Sequence, residues 1–305
     1  MNIRRAIRAT RNWLRGGPPP PRDWRATRIA ETLPFGLSEL ASRSRMWNQA
    51  VIRSQCYNAY LGDQTSLCRV LGRYRMYVDT ADLGLSSHLL SEGYWEMWHT
   101  EAMVDLVRPG MTAVDVGANL GYFTLLMADL VGPTGRVHAF EPNPAIAERM
   151  RKSLYVNGFS ARTTVHQMGL ADRAGEFGLF IPPDDPKNGR LVRLHNPALS
   201  VRIALDRLDA IPGLLEADFI KIDVEGAEEK VWRGMAALLE SGRPLTVVLE
   251  FVADRYKDPA AFIADIERHG FSLAVIDEDQ GLLPLDRAGL LARPSNEDQL
   301  VVLRR

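Results

Sequence analysis

Cysteine is scarce in this 305-residue chain, which has only Cys56 and Cys68. Two thiols cannot build a disulfide framework or a four-cysteine zinc site, and neither CxxC nor HExxH spacing occurs. The six histidines (88, 99, 138, 166, 195 and 269) are scattered, so no metal site is expected. No apolar run approaches the roughly 20 residues of a membrane-spanning helix, and the start has no apolar stretch of signal-peptide length. Repeats and low-complexity segments are absent beyond the prolines at 18–21. Charge of one sign is not in excess either: 37 basic residues face 38 acidic ones. These absences exclude a disulfide scaffold and a collagen-like or disordered chain. They point to a globular enzyme-sized protein in a reducing cytoplasm.

What charge there is lies unevenly. Residues 1–28 hold eight arginines and one acid, Asp23, for a local +7, which leaves −8 on the remainder. If residues 2–15 are helical, Ile3, Ile7 and Leu14 line one side among arginines, a pattern suited to weak contact with an anionic membrane surface. The alternative is a flexible basic tail. Gly16, Gly17 and the proline run read as a short stiff linker. The expected organisation is a basic tail and linker over 1–21, an N-terminal extension with a β-hairpin (66–70 and 74–78) over 22–80, and a main domain over 81–305.

Beyond a helix expected at 94–107, short apolar strands alternate with helices. Strands are expected at 112–116, 136–140, 163–167, 218–222, 245–249, 272–276 and 299–303. Between the third and fourth lies an inserted pair, 177–181 and 200–205, around a Pro/Asp/Asn-rich loop at 182–197. Such alternation requires right-handed crossovers and a mostly parallel, doubly wound Rossmann-like sheet. The strands are continuously apolar because both faces of such a sheet are covered. No helix signal separates the last two strands, so an antiparallel final strand is expected.

In open α/β sheets, ligands bind beyond the carboxyl ends of the strands. The first strand end reads Asp115-Val116-Gly117-Ala118-Asn119-Leu120-Gly121. Gly117 suits a tight turn, and Gly121 suits close approach by a ligand or a neighbouring helix. Asn119 is a candidate helix cap, beyond which exposed amides would favour a carboxylate. Asp115 adds negative charge at the same place. The second strand ends at Glu141, twenty residues after Gly121, where a carboxylate can accept hydrogen bonds from ribose hydroxyls. A dinucleotide site would need a glycine where Asn119 stands, and Asp115 would repel its phosphates. S-adenosylmethionine, with an ammonium group, a ribose and no phosphate, fits better.

Together, 114–124 (VDVGANLGYFT), FEPNP at 140–144, Leu205-Asp206, IKIDVEGAE at 220–228, Leu249-Glu250 and Tyr94-Trp95-Glu96 resemble the FkbM family of S-adenosylmethionine-dependent methyltransferases. The resemblance spans roughly 80–303. It implies a seven-stranded sheet with an antiparallel last strand, and cofactor contact from Asp115, Gly117, Asn119, Gly121 and Glu141. It further implies that Glu96 reaches the methionine end and that adenine lies near Gly169.

The fourth core strand ends at Asp223-Val224-Glu225-Gly226, and the fifth at Glu250. These three acids are the candidate catalytic residues, one to position the positively charged donor and one to take a proton from an acceptor hydroxyl. Asp206 reads as a helix cap, and His88 as a weak alternative base. The expected activity is O-methylation of a sugar, glycan or secondary metabolite carrying a free hydroxyl, with the acceptor pocket built from 182–197 and residues before 94. Rival readings are a nucleic-acid methyltransferase with an arginine-rich arm, which the −8 of the core disfavours, a dehydrogenase, and a non-catalytic cofactor-binding scaffold.

Overall fold

Strands that are apolar along their whole length must be covered on both faces, and this requirement sets the architecture. The computed structural model describes residues 35–181, 190–192 and 200–305, with backbone alone at 190–192. The expected basic tail and linker over 1–21, and most of the loop at 182–197, lie outside the described residues.

Helices α1 (Leu37–Ser42) and α2 (Arg45–Gln55) lead into three antiparallel strands, β1 (Asn58–Gly62), β2 (Thr65–Val70) and β3 (Tyr74–Asp79). Next come α3 (Leu85–Ser91), α4 (Met97–Leu106), β4 (Thr112–Val116), α5 (Tyr122–Leu130), β5 (Arg136–Phe140), α6 (Pro144–Val156) and β6 (Thr163–His166). A second small sheet follows, made of β7 (Gly169–Leu170), β8 (Gly175–Phe180), β9 (Arg190–Val192) and β10 (Val201–Asp206). The chain then forms β11 (Phe219–Ile222), α7 (Glu228–Arg233), α8 (Ala236–Glu240), β12 (Thr246–Phe251) and α9 (Pro259–Arg268). It closes with β13 (Ser272–Asp277), β14 (Gly281–Leu285), α10 (Arg287–Leu291) and β15 (Gln299–Arg304).

The large sheet has the order β14-β13-β15-β12-β11-β4-β5-β6. Strands β4, β5, β6, β11 and β12 run parallel, and β15 lies antiparallel between β12 and β13. The antiparallel last strand is therefore present, but the sheet has eight strands rather than seven. The additional strand, β14, pairs antiparallel with β13 at the sheet edge, where Pro284 is tolerated. Because β14 reverses the chain, the return to β15 needs a connection, and α10 lies on it. The last two core strands are thus not joined without a helix, as the sequence had suggested.

The helix starts follow local chemistry. Asn143 caps α6 by accepting from the Ala145 amide (3.0 Å), and Asp258 caps α9 by accepting from the Ala261 amide (2.9 Å). Each cap precedes a proline at the first turn. On one face of the sheet, fully buried Trp232 packs edge-on against Phe262 and Phe271, and its indole donates to Asp265 (2.9 Å). Each such buried aromatic or aliphatic side chain contributes about 1.5–3 kcal/mol.

The expected hairpin is β2–β3, to which β1 adds a third strand. The outer edge of β3 would expose unpaired backbone groups, but α6 satisfies them. Tyr77 N–H donates to Ser153 Oγ (3.0 Å), Arg75 N–H donates to Asn157 Oδ1 (3.0 Å), and Asn157 Nδ2 donates back to the Arg75 carbonyl (2.6 Å). Arg73 and the Tyr74 hydroxyl both reach Asp129 (2.6 and 2.9 Å). Residues 36–305 accordingly form one compact unit. Among the described residues, no helix is long and apolar enough to cross a membrane.

Candidate active site

The strand order reverses between β4 and β11, and there a cavity of about 370 Å³ opens at the carboxyl ends. Its floor is the 116–119 turn and the 223–227 turn. Glu141 and Phe140 form one wall, Trp95 and Glu96 another, and Leu179, Ile203 and Leu205 of the small sheet form an apolar third. The inserted strands therefore help to enclose the pocket.

The turn after β4 is self-satisfied. Gly117 and Ala118 N–H both donate to the Phe140 carbonyl (3.1 and 3.0 Å), and Gly121 N–H donates to the Ala118 carbonyl (2.9 Å). Asn119 N–H donates to Glu141 Oε2 (3.0 Å), and Leu120 N–H to the Asn119 side chain (2.7 Å). All five amides are taken by the chain itself, so this turn offers no cradle to a pyrophosphate. Asn119 is not the cap of α5: the helix starts from Gly121, without a side-chain cap, and the Asn119 side chain is spent on the Leu120 amide. Gly117 is required sterically: at φ +79, a Cβ there would lie 1.8 Å from the Asp223 carbonyl oxygen.

Glu141 is buried, with Oε1 accepting from Asn143 N–H (2.7 Å) and Oε2 from Asn119 N–H. Burial outweighs these two bonds and pushes its pKa up to about 7. Across the pocket, Lys221 Nζ sits 2.9 Å from Asp223 Oδ2 and 3.9 Å from Asp115 Oδ1. Burial alone would raise the Asp223 pKa, but the Lys221 ammonium wins and holds it below the usual carboxylate range. Arg255 bridges Glu250 (2.7 Å) and Glu225 (3.1 Å), with Asp298 at 3.8 Å. Despite that guanidinium, burial and the Asp223 and Glu225 charges push Glu250 up to about 8. Glu228, also buried, accepts from the Val224 and Gly226 amides (3.2 and 3.0 Å) and so shapes the turn that presents Asp223 and Glu225.

Of the sequence candidates, Glu96, Gly117, Asn119, Glu141, Gly169, Asp223, Glu225 and Glu250 all line this cavity. Two do not. Asp115 is wholly buried within β4 and accepts from the Thr124 hydroxyl (2.6 Å), so Lys221 rather than a ligand is its cation. Gly121 makes room for α6, since a Cβ there would meet Met150 Cγ at 2.6 Å. Asp206 only accepts from the next amide, that of Arg207 (2.8 Å), and His88 is a surface residue 3.9 Å from Glu92. Sequence reasoning missed Lys221, Arg255, Glu228 and His99. Lys221 had a visible signal, a lysine interrupting an otherwise apolar strand beside two acids.

Residues 115–273, over half of the chain, match the family described as the methyltransferase FkbM domain. The chain belongs to the FkbM methyltransferase family. It is an S-adenosylmethionine-dependent methyltransferase. Similar proteins include Methyltransferase 1 of Beauveria bassiana, 28% identical over 53% of this chain and 72% of that protein. Methyltransferase sdnD of Sordaria araneosa is 30% identical over 40% of this chain and 59% of its own length. The AMB antimetabolite synthetase AmbE of Pseudomonas aeruginosa is 30% identical over 64% of this chain, a match covering 11% of that larger protein.

The pocket of this FkbM methyltransferase suits a donor with a ribose, an ammonium and no phosphate. Beside the occupied amides, it carries a surplus of carboxylates over basic groups, which favours a cationic ligand. Glu141 would hold the ribose, while Gly169 and the apolar Leu205 and Ile203 would flank the adenine. At Gly169 a Cβ would collide with Leu205 at 2.6 Å, so a side chain there would disturb that wall.

Proposed function

We propose that this enzyme methylates a hydroxyl oxygen of a sugar, glycan or other secondary metabolite, with Glu250 as general base. The donor supplies an electrophilic methyl group, so the protein's tasks are to hold both reactants and to accept one proton. The observation that carries the reading is the placement of Glu250, a carboxyl that lines the pocket beside Asp223 and Glu225 and 2.7 Å from Arg255, where burial and the two neighbouring charges push its pKa up to about 8. An acid of that strength is a far better proton acceptor than an ordinary carboxylate and is still ionised in part near neutrality. Asp223, held acidic by Lys221, is the weaker base and the steadier negative charge. It is suited to stabilising a cation, and the earlier choice between the acids falls to Glu250 on these grounds. Holding donor and acceptor in line supplies the larger effect, on the order of 7–11 kcal/mol.

The antimetabolite synthetase among the similar proteins supports an acceptor from secondary metabolism. Calorimetric titration with S-adenosylmethionine, S-adenosylhomocysteine and NADH tests the donor site, with Glu141→Ala as control. Binding of the first two, lost in the variant, is expected, and NADH should not bind. Hydroxylated sugars and metabolites are then screened with methyl-labelled donor. Label found on nitrogen or carbon, and never on oxygen, would overturn the acceptor reading.

A further inference from the structure

We propose that His99 is a positioning residue for the methyl donor, holding the Glu96 carboxylate where it meets the ammonium of the methionine end. The proposal rests on the donor reading above and deepens it. Glu96 stands at φ 38, ψ 70, in the left-handed region that a non-glycine residue occupies only when its surroundings hold it there. The first turn of α4 supplies that hold. His99 Nδ1 lies 3.2 Å from Glu96 Oε2, and the Thr100 hydroxyl donates to the Trp95 carbonyl (3.0 Å) while meeting the Tyr122 hydroxyl (3.0 Å). Trp95 and Glu96 are thus fixed over the pocket from below.

The His99 ring is wholly buried against Phe123, with centroids 4.3 Å apart, and Phe123 itself lines the pocket. Its Nε2 is buried and has no hydrogen-bond partner among the described residues. Packing alone would be served better by phenylalanine, which fills the same space without an idle buried nitrogen. What histidine adds is the bond to Glu96.

Glu96 also differs from the three candidate catalytic acids. Asp223 is paired with Lys221, and Glu225 and Glu250 with Arg255. Among the described residues, no lysine or arginine comes within 4 Å of Glu96; Lys221 acts on it only from further off, which leaves the carboxylate open to a cationic ligand. With ribose at Glu141 and adenine toward Gly169, the opposite end of the donor points toward Glu96.

The test compares two probes by calorimetry: S-adenosylhomocysteine, which carries the amino-acid end, and 5′-methylthioadenosine, which lacks it. His99→Phe should weaken the first by roughly tenfold or more, as loss of a hydrogen bond to a charged group does, and leave the second unchanged. His99→Asn, whose amide nitrogen replaces Nδ1, should restore most of the loss. His99→Gln, whose amide falls on the Nε2 side, should not. In a Glu96→Gln background, His99→Phe should cause no further weakening. Equal weakening of both probes, no weakening of either, or rescue by Gln and not Asn would overturn the proposal. If the unaltered protein binds neither probe, the donor reading itself has failed.

Discussion

Replacing Lys221 by methionine should cost about 3–5 kcal/mol of stability, because it leaves a buried carboxylate without its cation. The structure supplies the magnitude. Register between β11 and β4 sets Lys221 beside Asp115, and Nζ lies 3.9 Å from Asp115 and 2.9 Å from Asp223. At an effective dielectric of about 20, each attraction is on the order of 4–6 kcal/mol before desolvation is subtracted. Asp223 opens onto the pocket, with its side chain 36% exposed, so solvent screens its share. Asp115 has no such outlet and decides the outcome. Burial already pushes its pKa up against Lys221 and Thr124, and without Lys221 it must rise further. A raised acid contributes stability that is present below its unfolded pKa and lost as pH rises through its folded value. The variant should therefore approach the parent near pH 4 and fall away toward pH 8. Urea denaturation across that range is the assay, and thermal melting at pH 7 should show a drop in Tm of roughly 10 °C. Adding Asp115→Asn to the variant should recover most of the loss. A single variant within 1 kcal/mol of the parent at every pH would refute the reasoning.

Three further outcomes are expected. With donor saturating, the methylation rate should climb with pH through about 8 as Glu250 loses its proton. Glu250→Gln should abolish that climb and lower the rate roughly 10²–10⁴-fold, whereas a rate flat from pH 6 to 9 would exclude Glu250 as base. Gly117→Ala should prevent stable folding by circular dichroism, since its Cβ would strike the Asp223 carbonyl. Gly132→Ala, at φ +67 but with nothing within 4 Å, should lose only about 1–2 kcal/mol. Glu228→Ala releases the Val224 and Gly226 amides, and it should reduce kcat more than donor affinity if the 223–227 turn serves the acceptor side.

The order of strands and helices was legible because apolar runs, cap residues and Pro/Gly stops are local signals. Asn143-Pro144 and Asp258-Pro259 mark helix starts by side-chain chemistry that acts over three residues. The parallel sheet followed from the alternation, and the pocket's position from the strand ends. Strand β14 escaped notice because Gly-Leu-Leu-Pro-Leu has neither alternation nor β-branched residues; it is a strand because β13 offers an edge to pair with. The candidate acids were legible as residue types at strand ends. Their roles were not, since Asp115 and Glu141 look alike in sequence, yet one is sealed inside β4 and the other lines the cavity.

The sequence by itself determined that a doubly wound sheet forms with carboxylates crowded at one end. Only tertiary structure decided which cation meets which acid. Lys221 stands 106 positions from Asp115, and His99 reaches Phe123 from a different helix. Whether a carboxylate is structural, ligand-binding or basic depends on its burial and on the charges that pairing register brings within a few ångströms. Those distances are set when the strands dock, not by the order of residues along the chain.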